Sequence, residues 1–252
     1  MPILRKTFFR FYDLMAAVLA PGLRNAQFAY FELLNASLSS HTRWLDIGCG
    51  RRLFPDWMPR AEEEEAALKA RLSTTFGIDA DVASLRDNHF VQHRFVGDCC
   101  SLPFADSSFD LLTANMVVEH VAHPRALLSE VRRILKPNGI FLFHTPNALS
   151  YATLMARMVP EALKVWLIGF LESRKAEDVF PTFYRMNVPW RILDLSQIAG
   201  LNVVELHRVE SSAQSIMLGP VVLFELLWIR LLRFSFLRNL RSNLVVVLQK
   251  SA

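Results

Sequence analysis

What most constrains this chain is a repeated local pattern: a short apolar run, a polar or glycine stop, then sequence of helical character. Trp44–Ile47 runs into Gly48-Cys49-Gly50, and residues 74–78 end at Asp79. His93–Val96 ends at Gly97-Asp98, 109–114 at Asn115, and 140–144 at Thr145-Pro146-Asn147. Residues 60–73 and 125–135 read as helices, the first opened by Glu62 to Glu65, where the helix dipole favours acids. Strands alternating with helices predict a doubly wound α/β sheet with mainly parallel strands. Pro137-Asn138-Gly139 predicts a turn that delivers the chain into the fifth strand. In such a sheet the residues that end the strands share one edge, where ligands bind.

Flanking this core, residues 4–38 read as helical with a break at Pro21-Gly22, and 151–171 as an apolar helix. A helix at 188–199, closed by Gly200, precedes closing strands at Leu201–Val209 and 243–249, which bring the strand count to seven. Residues 216–240 are strongly apolar and carry several arginines. The parse is one domain over 1–252. It has N-terminal helices at 1–40, a core at 44–147, apolar helical inserts at 148–187 and 211–241, and closing strands at 201–210 and 242–250.

Hydrophobic residues make up 52% and charged residues 21%, so a large core is expected and disorder is not. The net charge of +4 comes with no Lys/Arg block, which disfavours nucleic acid as a partner. Cys49, Cys99 and Cys100 have no zinc-ligand spacing, and neighbouring cysteines suit an ordinary disulfide poorly. Reduced thiols, no metal and a cytoplasmic location are expected. The apolar patch at 14–20 is short for a signal-peptide core, and no run is long enough to span a bilayer.

A glycine-rich turn after the first strand lets main chain approach a ligand closely. Dinucleotide enzymes use similar turns, so the remaining residues must discriminate. Here Gly48-Cys49-Gly50 is followed by Arg51-Arg52-Leu53, without the third glycine of a dinucleotide fingerprint. Acids stand at Asp46, before the turn, at Asp79, where a carboxylate can accept from both hydroxyls of a ribose, and at Asp98.

The order Leu45-Asp46-Ile47-Gly48-Cys49-Gly50, Gly77-Ile78-Asp79, Gly97-Asp98, Leu102-Pro103-Phe104-Ala105-Asp106-Ser107-Ser108-Phe109-Asp110, Glu119-His120-Val121 and Arg133-Ile134-Leu135-Lys136-Pro137-Asn138-Gly139 resembles the small-molecule class I S-adenosylmethionine-dependent methyltransferases, of the type also seen in quinone biosynthesis. The resemblance implies a Rossmann-like sheet of seven strands with the last antiparallel, and S-adenosyl-L-methionine as cofactor. It implies that Asp46 orients the methionine amino end through the turn, with Gly48, Cys49 and Gly50 giving close main-chain approach. Asp79 would bind the ribose hydroxyls, Asp98 the adenine amino group with the Cys99 main chain beside it. Asn115 would face the methionine part and the sulfonium, and His120 would serve as base for an acidic acceptor. Where the family usually has a third glycine this chain has Arg52, so a different loop path is expected.

The acceptor is expected to be a small molecule, either lipid-like or a soluble metabolite under an apolar lid. Placed on one helix at about 100° per residue, 221–241 gathers Arg230, Arg233, Arg238 and Arg241 within an arc of about 140°. That face suits either peripheral membrane contact through 216–241 or a packed lid or dimer helix. A cofactor-binding protein without transferase activity and an NAD-dependent oxidoreductase are the alternatives.

Overall fold

A computed structural model describes residues 2–55, 57–158 and 180–252, and at 2–5 the course of the main chain. The strands are β1 (Trp44–Ile47), β2 (Thr75–Asp79), β3 (His93–Val96), β4 (Phe109–Asn115), β5 (Leu135–Pro146), β6 (Leu201–Val209) and β7 (Asn243–Lys250). They form one sheet in the order β3-β2-β1-β4-β5-β7-β6. β1 lies parallel between β2 and β4, β3 continues parallel to β2, β5 parallel to β4, and the last strands run antiparallel. This is the Rossmann-like, seven-stranded arrangement expected. The central strands are apolar runs because both faces are covered: all of β1 is buried, as are Leu111 to Ala114 of β4.

The helices are α1 (Pro2–Leu19), α2 (Ala26–Ser37), α3 (Ala61–Arg71), α4 (Val82–Asp87), α5 (Pro124–Ile134), α6 (Tyr151–Met158), α7 (Pro189–Ile198) and α8 (Val222–Leu231). Among the described residues no helix is long and apolar enough to cross a membrane. The described residues fall into two compact units. One contains 2–29, 146–158, 180–181 and 207–244, the other 30–55, 57–145, 182–206 and 245–252.

In the second unit, α5 buries Leu127, Leu128, Val131 and Ile134, and packs against α7. On its last turn Arg133 donates to the carbonyls of Leu102 and Phe104 and to Glu130 and Asp106, and Lys136 pairs with Asp110 at 2.8 Å. These bonds give a physical reason for two of the recognised sequence runs: the loop before β4 and the segment after α5 hold each other. The turn expected at Pro137-Asn138-Gly139 is instead a bulge inside one long strand that starts at Leu135. Phe109 pairs with Leu135 but Leu111 pairs with Ile140, so the extra residues loop out, with Asn138 left-handed at φ 62.

In the first unit α1 packs on α8, with Tyr12, Ala20, Val222, Leu226 and Ile229 in a shared core. The Glu225 carboxylate accepts from the Tyr151 hydroxyl and from the main-chain N–H of Gln214 (2.7 Å) and Ser215 (2.8 Å). The single helix expected over 221–241 does not form. A 3₁₀ segment (Ile216–Val221) leads into α8, the chain turns extended at Phe234, and a second 3₁₀ segment (Ser235–Leu240) follows. The four arginines therefore do not share one helical arc. Arg241 is spent on the carbonyls of Leu232, Arg208 and Arg233, and Arg233 on that of Pro21. Of the apolar stretch expected at 151–171, residues 151–158 are helical; Trp166 and Phe170 lie outside the described residues.

Candidate functional site

The turn after β1 is built by two left-handed glycines, Gly48 at φ 67 and Gly50 at φ 52. Gly48 is also a contact position, since a Cβ there would stand 2.3 Å from Val117 Cγ2. At Gly50 nothing lies within 4 Å of where a Cβ would sit, so the main chain is open to close approach. The N–H groups of Gly48 and Cys49 donate to the Ile78 carbonyl at 2.7 and 3.3 Å, which ties the turn to the end of β2. Cys49 is buried, and burial pushes its thiol up, so it packs as an apolar side chain.

Asp79, the last residue of β2, is engaged on both oxygens: Oδ2 accepts from Gly50 N–H at 2.8 Å and Oδ1 from Asp81 N–H at 2.8 Å. Each oxygen keeps a further lone pair, so a half-exposed, fixed carboxylate is available to two hydroxyls. Asp98, after β3, is exposed, and its Oδ1 accepts from Cys100 N–H at 2.9 Å. Asp98, Cys99 and Cys100 offer ligand atoms within 4.8 Å of one another. Burial raises both thiols, with the Asp98 charge adding to it.

Asp46 lies one strand residue behind the turn and is buried. Its register partner on β4 is Thr113, whose hydroxyl donates to Asp46 Oδ1 at 2.6 Å while accepting from Trp44 Nε1 at 2.8 Å. Burial, opposed by that hydrogen bond and reinforced by the Asp79 charge, pushes the carboxyl up to about 7. Asp46 is buried beneath the sheet edge and bonded to Thr113, so its carboxyl is not presented at the surface of the turn.

At the end of β4, Asn115 Oδ1 meets His144 Nδ1 at 2.9 Å, and His144 is buried, which fits a structural histidine. Met116 is left-handed at φ 58, its N–H donating to the His144 carbonyl at 2.9 Å, an uncommon conformation beside a strand end. His120 follows in the 3₁₀ turn Val118–His120, half-buried.

Two participants, Asn187 and Asn88, escape sequence reasoning. Glu119 is buried and accepts from the Thr145 hydroxyl at 2.9 Å, which in turn accepts from Asn187 Nδ2 at 2.5 Å. Burial pushes its carboxyl up, and its main-chain carbonyl anchors Phe183 N–H at 2.7 Å. Asn88, also buried, donates to the carbonyls of Cys49 and Gly50. The partners of Asn187 and Asn88 are distant in sequence, so no local motif marks these two residues.

A family model described as a methyltransferase domain matches residues 19–181. A ubiquinone biosynthesis O-methyltransferase of Cereibacter sphaeroides is 30% identical over 65% of this chain and 61% of its own length. A malonyl-[acyl-carrier protein] O-methyltransferase of Erwinia billingiae is 33% identical over 50% of this chain and 48% of its own. The chain spans about half the length of most of the curated relatives compared, with a range from 25% to 66%. The solved structure of an S-adenosylmethionine-dependent methyltransferase from Mesorhizobium loti shares the fold, with a TM-score of 0.53, 18% identity and coverage of 88% and 98% of the two chains. The family is thus not that of the dinucleotide oxidoreductases, and the chain belongs to the class I S-adenosylmethionine-dependent methyltransferases.

Proposed function

We propose that this chain transfers a methyl group from S-adenosylmethionine to a small, apolar acceptor. The observation that carries the reading is one strand edge that presents the Gly48–Gly50 turn, Asp79 hydrogen-bonded to that turn, and Asp98 on neighbouring strands. These residues fit the cofactor. The open main chain at Gly50 suits the methionine end, the fixed Asp79 carboxylate a ribose diol, and the exposed Asp98 an adenine amino group.

Bound there, S-adenosylmethionine supplies an electrophilic methyl on a sulfonium. The chain's own residues contribute position above all, since methyl transfer is a direct displacement. The turn and Asp79 fix one end of the nucleoside, Asp98 the other, and Asn115, held by His144, stands at the end of β4. For a hydroxyl acceptor, His120 takes the proton as the oxygen attacks. The test is mass spectrometry of cell extract, aqueous and organic-soluble fractions alike, after incubation with the protein and isotopically labelled cofactor. Label in an organic-soluble product is expected; no labelled product in any fraction would overturn the proposal.

A membrane-borne, lipid-like acceptor is the finer reading. The similarity to ubiquinone biosynthesis enzymes supports it, and so does the surface of the first unit. Leu14, Val18, Leu218, Phe224 and Phe236 are each at least 60% exposed. Lys6, Arg10, Arg24, Arg157, Arg230 and Arg238 are exposed too, whereas Glu210 and Glu225 are bonded inward and Asp13 is the exposed acid of that unit's described residues. Apolar side chains among exposed cations suit an anionic lipid surface. Flotation with phosphatidylglycerol-containing vesicles, weakened by salt and by Phe224→Glu with Phe236→Glu, is expected. Equal flotation of that variant, or none by the wild type, would refute it.

A further inference from the structure

Asn88 is 1% exposed and stands at the C-terminal end of α4, a helix capped at its start by Asp81, which accepts from Ala83 and Ser84 N–H. Its amide is fully used. Nδ2 donates to the carbonyls of Cys49 (3.2 Å) and Gly50 (2.9 Å), and Oδ1 accepts from the N–H groups of Phe90 (3.0 Å) and Val91 (2.9 Å). The glycine turn is thereby gripped from two sides. Gly50 N–H is held by Asp79, while the carbonyl of that same Cys49–Gly50 peptide and the carbonyl of Gly50 that follows are held by Asn88.

We propose that Asn88 is a positioning residue for the cofactor, holding the Cys49 and Gly50 carbonyls back so that the open main-chain face at Gly50 meets the methionine end. The inference rests on the reading of the crevice as the S-adenosylmethionine site. It also supplies a reason why the turn holds its shape with Arg52 in place of a third glycine: a buried amide from α4 fixes what local sequence leaves free. Donors aimed at two carbonyls are the chemical requirement, so neither Leu nor Asp can substitute at neutral pH, although both are close in size.

Asn88→Asp is the informative variant, because it keeps the volume and the acceptor but loses the donors. Ionised, it sets a carboxylate against two carbonyl oxygens; protonated, it recovers one donor. Asp87, His89, Arg94, Arg51, Lys69 and Asp79 are the ionisable groups around this region, in the wild type and the variant alike. The readout is therefore the ratio of variant to wild-type Kd for S-adenosylhomocysteine, by calorimetry at about pH 5.5 and about pH 8. A ratio of about tenfold or more at the higher pH, shrinking at the lower, is expected, as is a pH-independent ratio for Asn88→Ala. Binding of 5′-methylthioadenosine, which lacks the amino and carboxyl groups, should change by less than about threefold.

A ratio near one at both pH values would overturn the proposal. So would equal weakening of both ligands, which would mark general loosening of the fold. If the wild type binds neither ligand, the cofactor reading itself fails and the proposal with it, a result separable from a normal wild type with an indifferent variant.

Discussion

Gly48→Ala tests how tightly the glycine turn and the end of β4 are fitted together. Two costs follow from the structure. Alanine in the left-handed region, at φ 67, costs about 1–2 kcal/mol. The new methyl would also stand 2.3 Å from Val117 Cγ2, far inside van der Waals contact, and overpacking of this kind costs about 1–3 kcal/mol. The sum, about 2–5 kcal/mol, is a large part of the 5–15 kcal/mol typical of a folded domain. The two parts separate in a double-mutant cycle, because Val117→Ala removes the clashing methyls and leaves the backbone cost. Urea unfolding of the four proteins should give a double variant about 1–3 kcal/mol more stable than the two single effects predict. Additivity within about 0.5 kcal/mol, or a Gly48→Ala cost below about 1 kcal/mol, would refute the argument that Val117 fills the space this glycine vacates.

Other expectations follow from the buried polar groups. Asp46, raised to about 7 from 3.8, holds its proton in the folded state while the unfolded chain has lost it, so this group's contribution makes stability fall as pH rises from about 4 to about 7; Asp46→Asn, which keeps the acceptor for Thr113, should flatten urea midpoints over that window, and an unchanged slope would contradict it. Tyr151→Phe leaves the Glu225 carboxylate short of one donor and should cost about 1–3 kcal/mol in unfolding free energy, while a cost below about 0.3 kcal/mol would place that bond outside the stabilising set. If the acceptor is a hydroxyl, His120→Gln should lower kcat by about 10²-fold or more with the Kd for S-adenosylhomocysteine unchanged; a normal kcat would remove His120 from the base role.

The sheet was legible in the sequence because its central strands β1 and β4 are buried apolar runs and the first four strands stop at glycine, acid or amide residues. Trp44–Ile47 and His93–Val96 appear within the bounds that pattern predicts. Pro137-Asn138-Gly139 misled because residues typical of a turn also serve a bulge, and only the pairing with β4 separates the two. Residues 221–241 misled for a related reason: apolar content continues through Phe234, where an extended main chain ends α8, and hydrophobic spacing does not register that break. In the site, Asp79 and Asp98 could be read from their places at strand ends. Asn88 could not, because its role depends on a contact with residues 38 and 39 positions away, and one asparagine after a short helix carries no local signal.

Calorimetric titration of S-adenosylhomocysteine into the wild type and Asp79→Ala, with urea unfolding to confirm that both are folded, bears most directly on the central claim. The account predicts a wild-type Kd of about 10 μM or tighter and at least about tenfold weaker binding by the variant, whose lost carboxylate both holds Gly50 and receives the ribose. A folded wild type that binds no S-adenosylhomocysteine, or an Asp79→Ala variant that binds it equally well, would contradict the assignment of this crevice.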